Sequence, residues 1–163
     1  MKLIRINEQD ADKLAPLVAQ FRVSLLSNLK IAAEPNEKAA REEIAEFLQA
    51  EYPIFAAEDG EEYAGYVVCK VVEECTWIEQ IYVRGDYRRR GVATMLFEKA
   101  EEVAHSLGEE TVFNYVHPNN QGMLDFLRDK GYTVLNMIEI RKPYKGEKLT
   151  TTINVGDNTF DYQ

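Results

Sequence analysis

The chain has 163 residues, enough for one ordinary domain with a real core. An apolar share of 45% and a charged share of 29% exclude a disordered chain, and no stretch approaches the roughly 18 apolar residues of a membrane span. A net charge of −9 argues against a broad nucleic-acid-binding surface.

Taken in chain order, residues 2–6 alternate and predict a strand, without the apolar core of a signal peptide. A cytoplasmic setting is the expectation. Asp10 can cap a helix with Leu14, Leu17, Val18, Phe21 and Leu25 on one face, running to about Leu26. Pro16 falls inside that pattern and predicts a late start or a kink. A second, acidic helix over residues 36–50 carries Ile44, Phe47 and Leu48 as its apolar stripe.

Three strands follow, at 54–57, 63–72 and 75–83, with Asp59-Gly60 as one turn and Glu73-Glu74 as a two-residue hairpin link. That link sets Val72 against Cys75, Lys70 against Trp77, Cys69 against Ile78 and Val68 against Glu79. Cys69 and Cys75 are then not opposed, so two buried thiols in a reducing compartment are expected rather than a disulfide. The histidines are His105 and His117, and no Cys/His cluster has metal-ligand spacing, so no metal is expected.

Residues 92–107 repeat apolar side chains at helical spacing (Leu96, Phe97, Ala100, Val103, Ala104), and Gly108 stops the helix. Residues 111–116 read as a strand. Asn119 or Asn120 opens another helix to Lys130, capped by Gly131, and residues 132–140 read as a final long strand. The order β-α-α-β-β-β-α-β-α-β predicts an α/β fold of the α+β type. Its central sheet is mixed and mostly antiparallel, with helices on both faces. One domain is expected over 1–141, followed by a C-terminal extension over 142–163. Residues 150–155 of that extension read as an extra strand, able to pair with its own sheet or with a second copy in a homodimer; a loose terminus is the alternative.

Chemistry concentrates after the third of these strands. Arg88, Arg89 and Arg90 precede Gly91, where a helix begins with Val92, Ala93 and Thr94. The first amides of a helix point outward without internal partners and form an anion site. Three cations there oppose the helix dipole unless phosphates fill the space between them. A solvated basic loop is the plain alternative. The absence of Gly-Lys-Ser/Thr and of a three-glycine fingerprint argues against a P-loop or dinucleotide site.

Arg88-x-x-Gly91-x-Ala93, preceded by Ile81-Tyr82-Val83, resembles the cofactor motif of the GNAT superfamily of N-acetyltransferases. The stretch from Val116 through His117, Pro118, Asn119 and Asn120, with Gly131-Tyr132 eleven residues after Asn120, is similar to that family's last motif. The resemblance runs from about Lys2 to Arg141 and implies a GNAT-like fold. It implies acetyl-CoA as cosubstrate, its pantetheine arm lying between two splayed strands (75–83 and 111–116) and bonded to backbone of Ile81 and Val83. The pyrophosphate would sit on amides of residues 89–94, and Asn120 matches the family asparagine that contacts the arm.

Transfer to an amine needs the amine neutral, and a primary amine has a pKa near roughly 10, so a base is required. Glu79, a carboxylate on an apolar strand face grouped with Trp77, Ile81 and Val83, resembles the family's base; an exposed strand residue or a partner of Lys70 is the alternative. Many relatives carry a tyrosine seven residues after the motif asparagine as proton donor, but that position here is Leu127. Tyr115, or His117 beyond it, can stand in as the acid, or both can be structural while solvent protonates the thiolate. The function implied is acetyl transfer from acetyl-CoA to a primary amine of a small molecule or protein by direct attack. A non-catalytic acyl-CoA-binding module of the same fold is the alternative.

Overall fold

Five strands make the main sheet: β1 (Lys2–Arg5), β2 (Ile54–Asp59), β3 (Glu62–Val72), β4 (Cys75–Val83) and β5 (Phe113–Asn114). They lie in the order β1-β2-β3-β4-β5, antiparallel except for the parallel pair β4–β5. The computed structural model describes residues 1–162 and divides into two units, Met1–His117 and Pro118–Gln163. The sheet and three helices, α1 (Ala11–Asn28), α2 (Glu37–Gln49) and α3 (Val92–Ser106), belong to the first unit.

Cross-strand register decides which helix covers which face, because paired residues share a side of the sheet. Tyr66 pairs Tyr82, and Phe21 of α1 meets both rings edge-on at centroid distances of 6.4 and 6.5 Å. α1 and α2 therefore cover the Tyr66 face. Gly65 and Val67 point the other way, where Leu96 of α3 packs. A Cβ at Gly65 would lie 2.6 Å from the Tyr82 carbonyl oxygen and 3.2 Å from the Leu96 side chain, so glycine lets both β4 and α3 come close here. Leu14, Val18, Ile44 and Ile54 on one side, and Leu96, Phe97 and Ala100 on the other, are essentially excluded from water. Burial of each large side chain contributes roughly 1.5–3 kcal/mol.

α1 keeps Pro16 within its early turns and starts at Ala11, so of the two expectations, a late start or a kink, the late start does not occur. A 3-10 turn (Glu8–Asp10), closed by a reciprocal cap between Asn7 and Asp10, leads into it. Asn36 caps α2 through the Ala39 amide.

The β3–β4 hairpin turns at Glu73 and Glu74, both left-handed (φ 50° and 71°), as the twist of a two-residue link demands. Val72↔Cys75, Lys70↔Trp77 and Cys69↔Ile78 pair as expected. Val68 does not face Glu79; it pairs Gln80, and the register shifts between Val68 and Cys69. Glu79 is thus the extra residue of a bulge in β4. The bulge puts Trp77 on the sheet side of Lys70, opposite to Ile81 and Val83, so these residues do not share one face.

β5 is two residues long rather than the six expected over 111–116. It pairs β4 only at Trp77↔Phe113 and Ile78↔Asn114. Pairing ends where the bulge bends β4 away.

In the second unit, α4 (Gln121–Asp129) is capped by the Asn120 side chain on the Met123 amide, and Gly131 turns left-handed (φ 85°) after it. β6 (Thr151–Val155) and β7 (Asn158–Tyr162) form an antiparallel hairpin, with Ile153 opposite Phe160. The Tyr162 hydroxyl donates to the Asn119 side-chain oxygen. Residues 150–155 do carry the extra strand, and its partner is the following segment. The long strand expected over 132–140 is absent: the chain there is irregular, because strand propensity forms no strand without a neighbouring backbone to bond. Among the described residues no helix is long and apolar enough to cross a membrane.

Candidate active site

The loop between β4 and α3 is built from backbone turns that most side chains resist. After a short 3-10 turn (Gly85–Tyr87), Arg88 is extended, Arg89 is left-handed at φ 60°, and Gly91 is left-handed at φ 81° before the helix starts at Val92. Alternating hand in this way turns successive amides toward one concavity, a shape that binds anions. The amides of Val92, Ala93 and Thr94 precede the first intrahelical bond, which Met95 donates to the Gly91 carbonyl. α3 has no side-chain cap and no acidic residue in its first turn. A Cβ built on Gly91 meets nothing within 4 Å, so its positive φ rather than crowding is what favours glycine there.

The arginines divide by environment. Arg84, which adjoins this cationic run in the sequence, is committed to Glu62 (2.7 Å) and Asp86 (2.8 Å). Arg88 donates its Nε to the Val83 carbonyl at 3.2 Å, closing the loop on the strand end, and Arg90 lies over the Tyr87 ring at 4.8 Å. Arg88, Arg89 and Arg90 are all exposed.

Beyond Ile78 the β5 side of β4 has no strand partner. Ile81, Tyr82 and Val83 lie in this stretch and are half-buried, on the approach to the loop. Glu79 occupies the bulge itself, half-buried and without a hydrogen bond or ion pair among the described residues. Lys70, its alternative partner from sequence, makes no ion pair with it among the described residues.

Across the strand divergence, Tyr115 stacks on Trp77 at 4.7 Å and 13°, with Phe113 against the same indole at 4.8 Å. Tyr115 is 66% exposed, so its hydroxyl reaches solvent. Partial burial lowers the His117 imidazole below its ordinary pKa and favours the neutral ring. Asn120 and Leu127 belong to the second unit, where Asn120 serves as the α4 cap and Leu127 is buried.

A polar chain that sequence reading missed lies beneath β4. The buried Tyr66 hydroxyl donates to Gln80 Oε1 at 2.6 Å, Gln80 Nε2 donates to Glu43 Oε1 at 2.6 Å, and Arg22 Nε donates to Glu43 Oε2 at 2.9 Å. Burial pushes the Tyr66 hydroxyl well above its usual pKa, so it stays a donor. A fully buried glutamine on a strand was the available signal; its partners on α1 and α2 lie too far along the chain to be read. Arg22 and Glu43 also line a groove of about 250 Å³ between α1 and α2, with Leu26, Glu34 and Asn36. Among the described residues no three His, Cys, Asp or Glu side chains gather to hold a metal.

Residues 22–132 match the acetyltransferase (GNAT) family. An N-acetyltransferase of Methanocaldococcus jannaschii is 30% identical over 89 residues, covering 48% of this chain and 38% of that protein. The chain thus spans well under half the length of that curated relative. Among solved structures, the complex of AAC(6')-Iy with a bisubstrate analogue, CoA-S-monomethyl-acetylneamine, superposes with a TM-score of 0.70 at 17% identity, covering 88% of this chain and 98% of that one. A ribosomal-protein-alanine N-acetyltransferase of Brucella melitensis biovar Abortus 2308 gives 0.68 at 15% identity, covering 87% and 99%. An aminoglycoside antibiotic 6'-N-acetyltransferase of Acinetobacter haemolyticus gives 0.65 at 18% identity, covering 89% and 100%. At such identities these likenesses show the shared fold.

Proposed function

Since this chain belongs to the acetyltransferase (GNAT) family, we propose that it transfers an acetyl group from acetyl-CoA to a primary amine of a small molecule or a protein by direct attack. The observation that carries the reading is the loop of residues 88–91, whose two left-handed turns open an uncapped helix beside a strand edge left free by β5. A pyrophosphate matches that concavity in charge and shape. An extended pantetheine chain matches the free edge of β4, where backbone of Ile81 and Val83 would bond it as an added strand.

The acetyl carbon gains a bond to the amine nitrogen and loses its bond to sulfur. Glu79 takes the proton that the attacking ammonium must shed, from a half-buried bulge where, among the described residues, no other side chain competes for its oxygens. Unpaired backbone amides of β4 offer stabilisation to the developing oxyanion. The departing thiolate is protonated by the exposed Tyr115 hydroxyl or by water. The carboxylate-rich stretch from Glu34 to Glu79, with Glu34 lining the groove between α1 and α2, supports an acceptor that carries positive charge. Two free cysteines support a cytoplasmic location.

A second reading, a non-catalytic acyl-CoA-binding module, is favoured by the burial of Leu127 where many relatives place a tyrosine. Thiol release from acetyl-CoA across a panel of polyamines, amino sugars and peptide N-termini tests both. Turnover on any amine establishes transfer. Micromolar CoA binding with no turnover on the whole panel establishes the module.

A further inference from the structure

A bulge leaves its inserted residue outside the ladder, and something must hold the strand in the shifted register. Carried on from Cys69↔Ile78 without a break, the β3–β4 ladder would set Val68 against Glu79 and Val67 against Gln80, turning Gln80 to the face where α3 packs. The bulge at Glu79 instead sets Gln80 against Val68, on the α1–α2 face, where it is buried between Tyr66 and Glu43. We propose that Gln80 and Glu43 are positioning residues: together they hold the bulge, and through it the Glu79 carboxylate, in the geometry that proton removal needs. This role rests on the reading of Glu79 as the base.

The tether admits one arrangement of donors. Glu43 accepts from Arg22 Nε on Oε2 at 2.9 Å, from Arg22 Nη2 on Oε1, and from Gln80 Nε2 on Oε1 at 2.6 Å. A carboxylate gripped by a guanidinium fork is ionised and can only accept. Gln80 must therefore turn its nitrogen to α2 and its oxygen to the Tyr66 hydroxyl, which donates at 2.6 Å. Both ends of the amide are engaged, and the chain from Tyr66 to Arg22 ties β3, β4, α2 and α1 together.

Side-chain bonding matters here because backbone bonding is thin. Beyond Ile78 the β5 side of β4 has no strand partner, and on the other side the β3 ladder loses its regular spacing at the bulge. Gln80 anchors the strand at the first residue after Glu79. Slipping back to the unbroken register would break both Gln80 bonds at once. It would also bring the Glu79 carboxylate opposite Val68, beside Glu43, where like charges repel.

Gln80→Leu and the milder Tyr66→Phe, each made alone and together with Glu79→Gln, test this; if Gln80→Leu does not fold, Tyr66→Phe decides alone. Rates are taken per CoA-binding site, counted by calorimetric titration, so that a misfolded fraction does not enter. Each substitution should lower kcat about tenfold or more in the parent chain and leave the dissociation constant for CoA within about twofold. In the Glu79→Gln background each should cost no more than about twofold further, because a tether acting through Glu79 then has nothing left to position. Nitrogen relaxation dispersion, which needs no acceptor, should show the Glu79 amide entering exchange in both variants while amides of β2 stay unchanged. Equal losses of kcat in the two backgrounds overturn the proposal and leave Glu79 as the base, as does a Glu79 amide that stays silent. If Glu79→Gln by itself leaves kcat untouched, the base reading falls and the tether's role falls with it.

Discussion

Gln80 Nε2 donates to Glu43 Oε1 at 2.6 Å, joining the residue beside the β4 bulge to the second helix. Because Gln80 Oε1 simultaneously accepts from Tyr66, the amide can sit in only one orientation. The neighbour of Glu79 is therefore fixed by three elements at once.

Gln80→Leu should destabilise the fold by about 2 kcal/mol. It leaves the buried Tyr66 hydroxyl without its acceptor and takes one donor from Glu43 Oε1, which keeps Arg22, and an orphaned buried group costs on the order of 1–3 kcal/mol. Urea unfolding measures it. A loss below about 0.5 kcal/mol would mean that water replaces the amide without penalty.

Glu79→Gln should lower kcat by roughly 100-fold or more, the ordinary contribution of a positioned base, while leaving the dissociation constant for CoA within about twofold. The deficit should shrink as pH rises toward the amine's own pKa, because more of the acceptor is then already neutral. A parallel loss of CoA affinity would instead place Glu79 in cosubstrate binding.

Gly91→Ala introduces no clash, since the new methyl meets nothing within 4 Å. It forces a side chain into the left-handed region, at a cost of roughly 1–2 kcal/mol. Both stability and CoA affinity should fall, read by thermal unfolding and by calorimetric titration. Unchanged CoA affinity would dissociate the left-handed turn from phosphate binding.

Glu147 should titrate at about 2, held down first by the Arg141 guanidinium and then by the Tyr144 amide. Its folded pKa lies below its ordinary value of 4.5, so its contribution to stability is complete above 4.5 and is lost as pH falls toward 2. The carboxyl carbon shift in an NMR titration checks the midpoint. Amides near Tyr144 should exchange faster across the same window.

Burial pushes the Cys69 thiol up to about 12, so alkylation by iodoacetamide at pH 8 should spare it until the protein unfolds. Cys75 is half-buried and should react first.

Much of this arrangement was legible because it is local. Apolar periodicity located α1 to α4, and the Glu73-Glu74 link correctly fixed the pairs nearest the turn. Register failed one residue before Gln80, because a bulge depends on what the next strand must reach and leaves no mark in alternation. The segment over 132–140 misled for a related reason: its residues favour a strand, but propensity does not supply a neighbour. The polar chain through Tyr66, Gln80, Glu43 and Arg22 joins four elements, and only the assembled fold brings them together.

The open start of α3 has a thermodynamic consequence. α2 and α4 carry their own asparagine caps, whereas no side chain caps α3 and its first amides are open to solvent or an anion. Any anion that binds them stabilises the folded state by mass action, increasingly so as its free concentration exceeds its dissociation constant. Copies without ligand therefore open more often, and a protease will remove them first. If the proposed phosphate-bearing cosubstrate binds there, the abundance of this protein in a cell should follow its supply, with no regulator required.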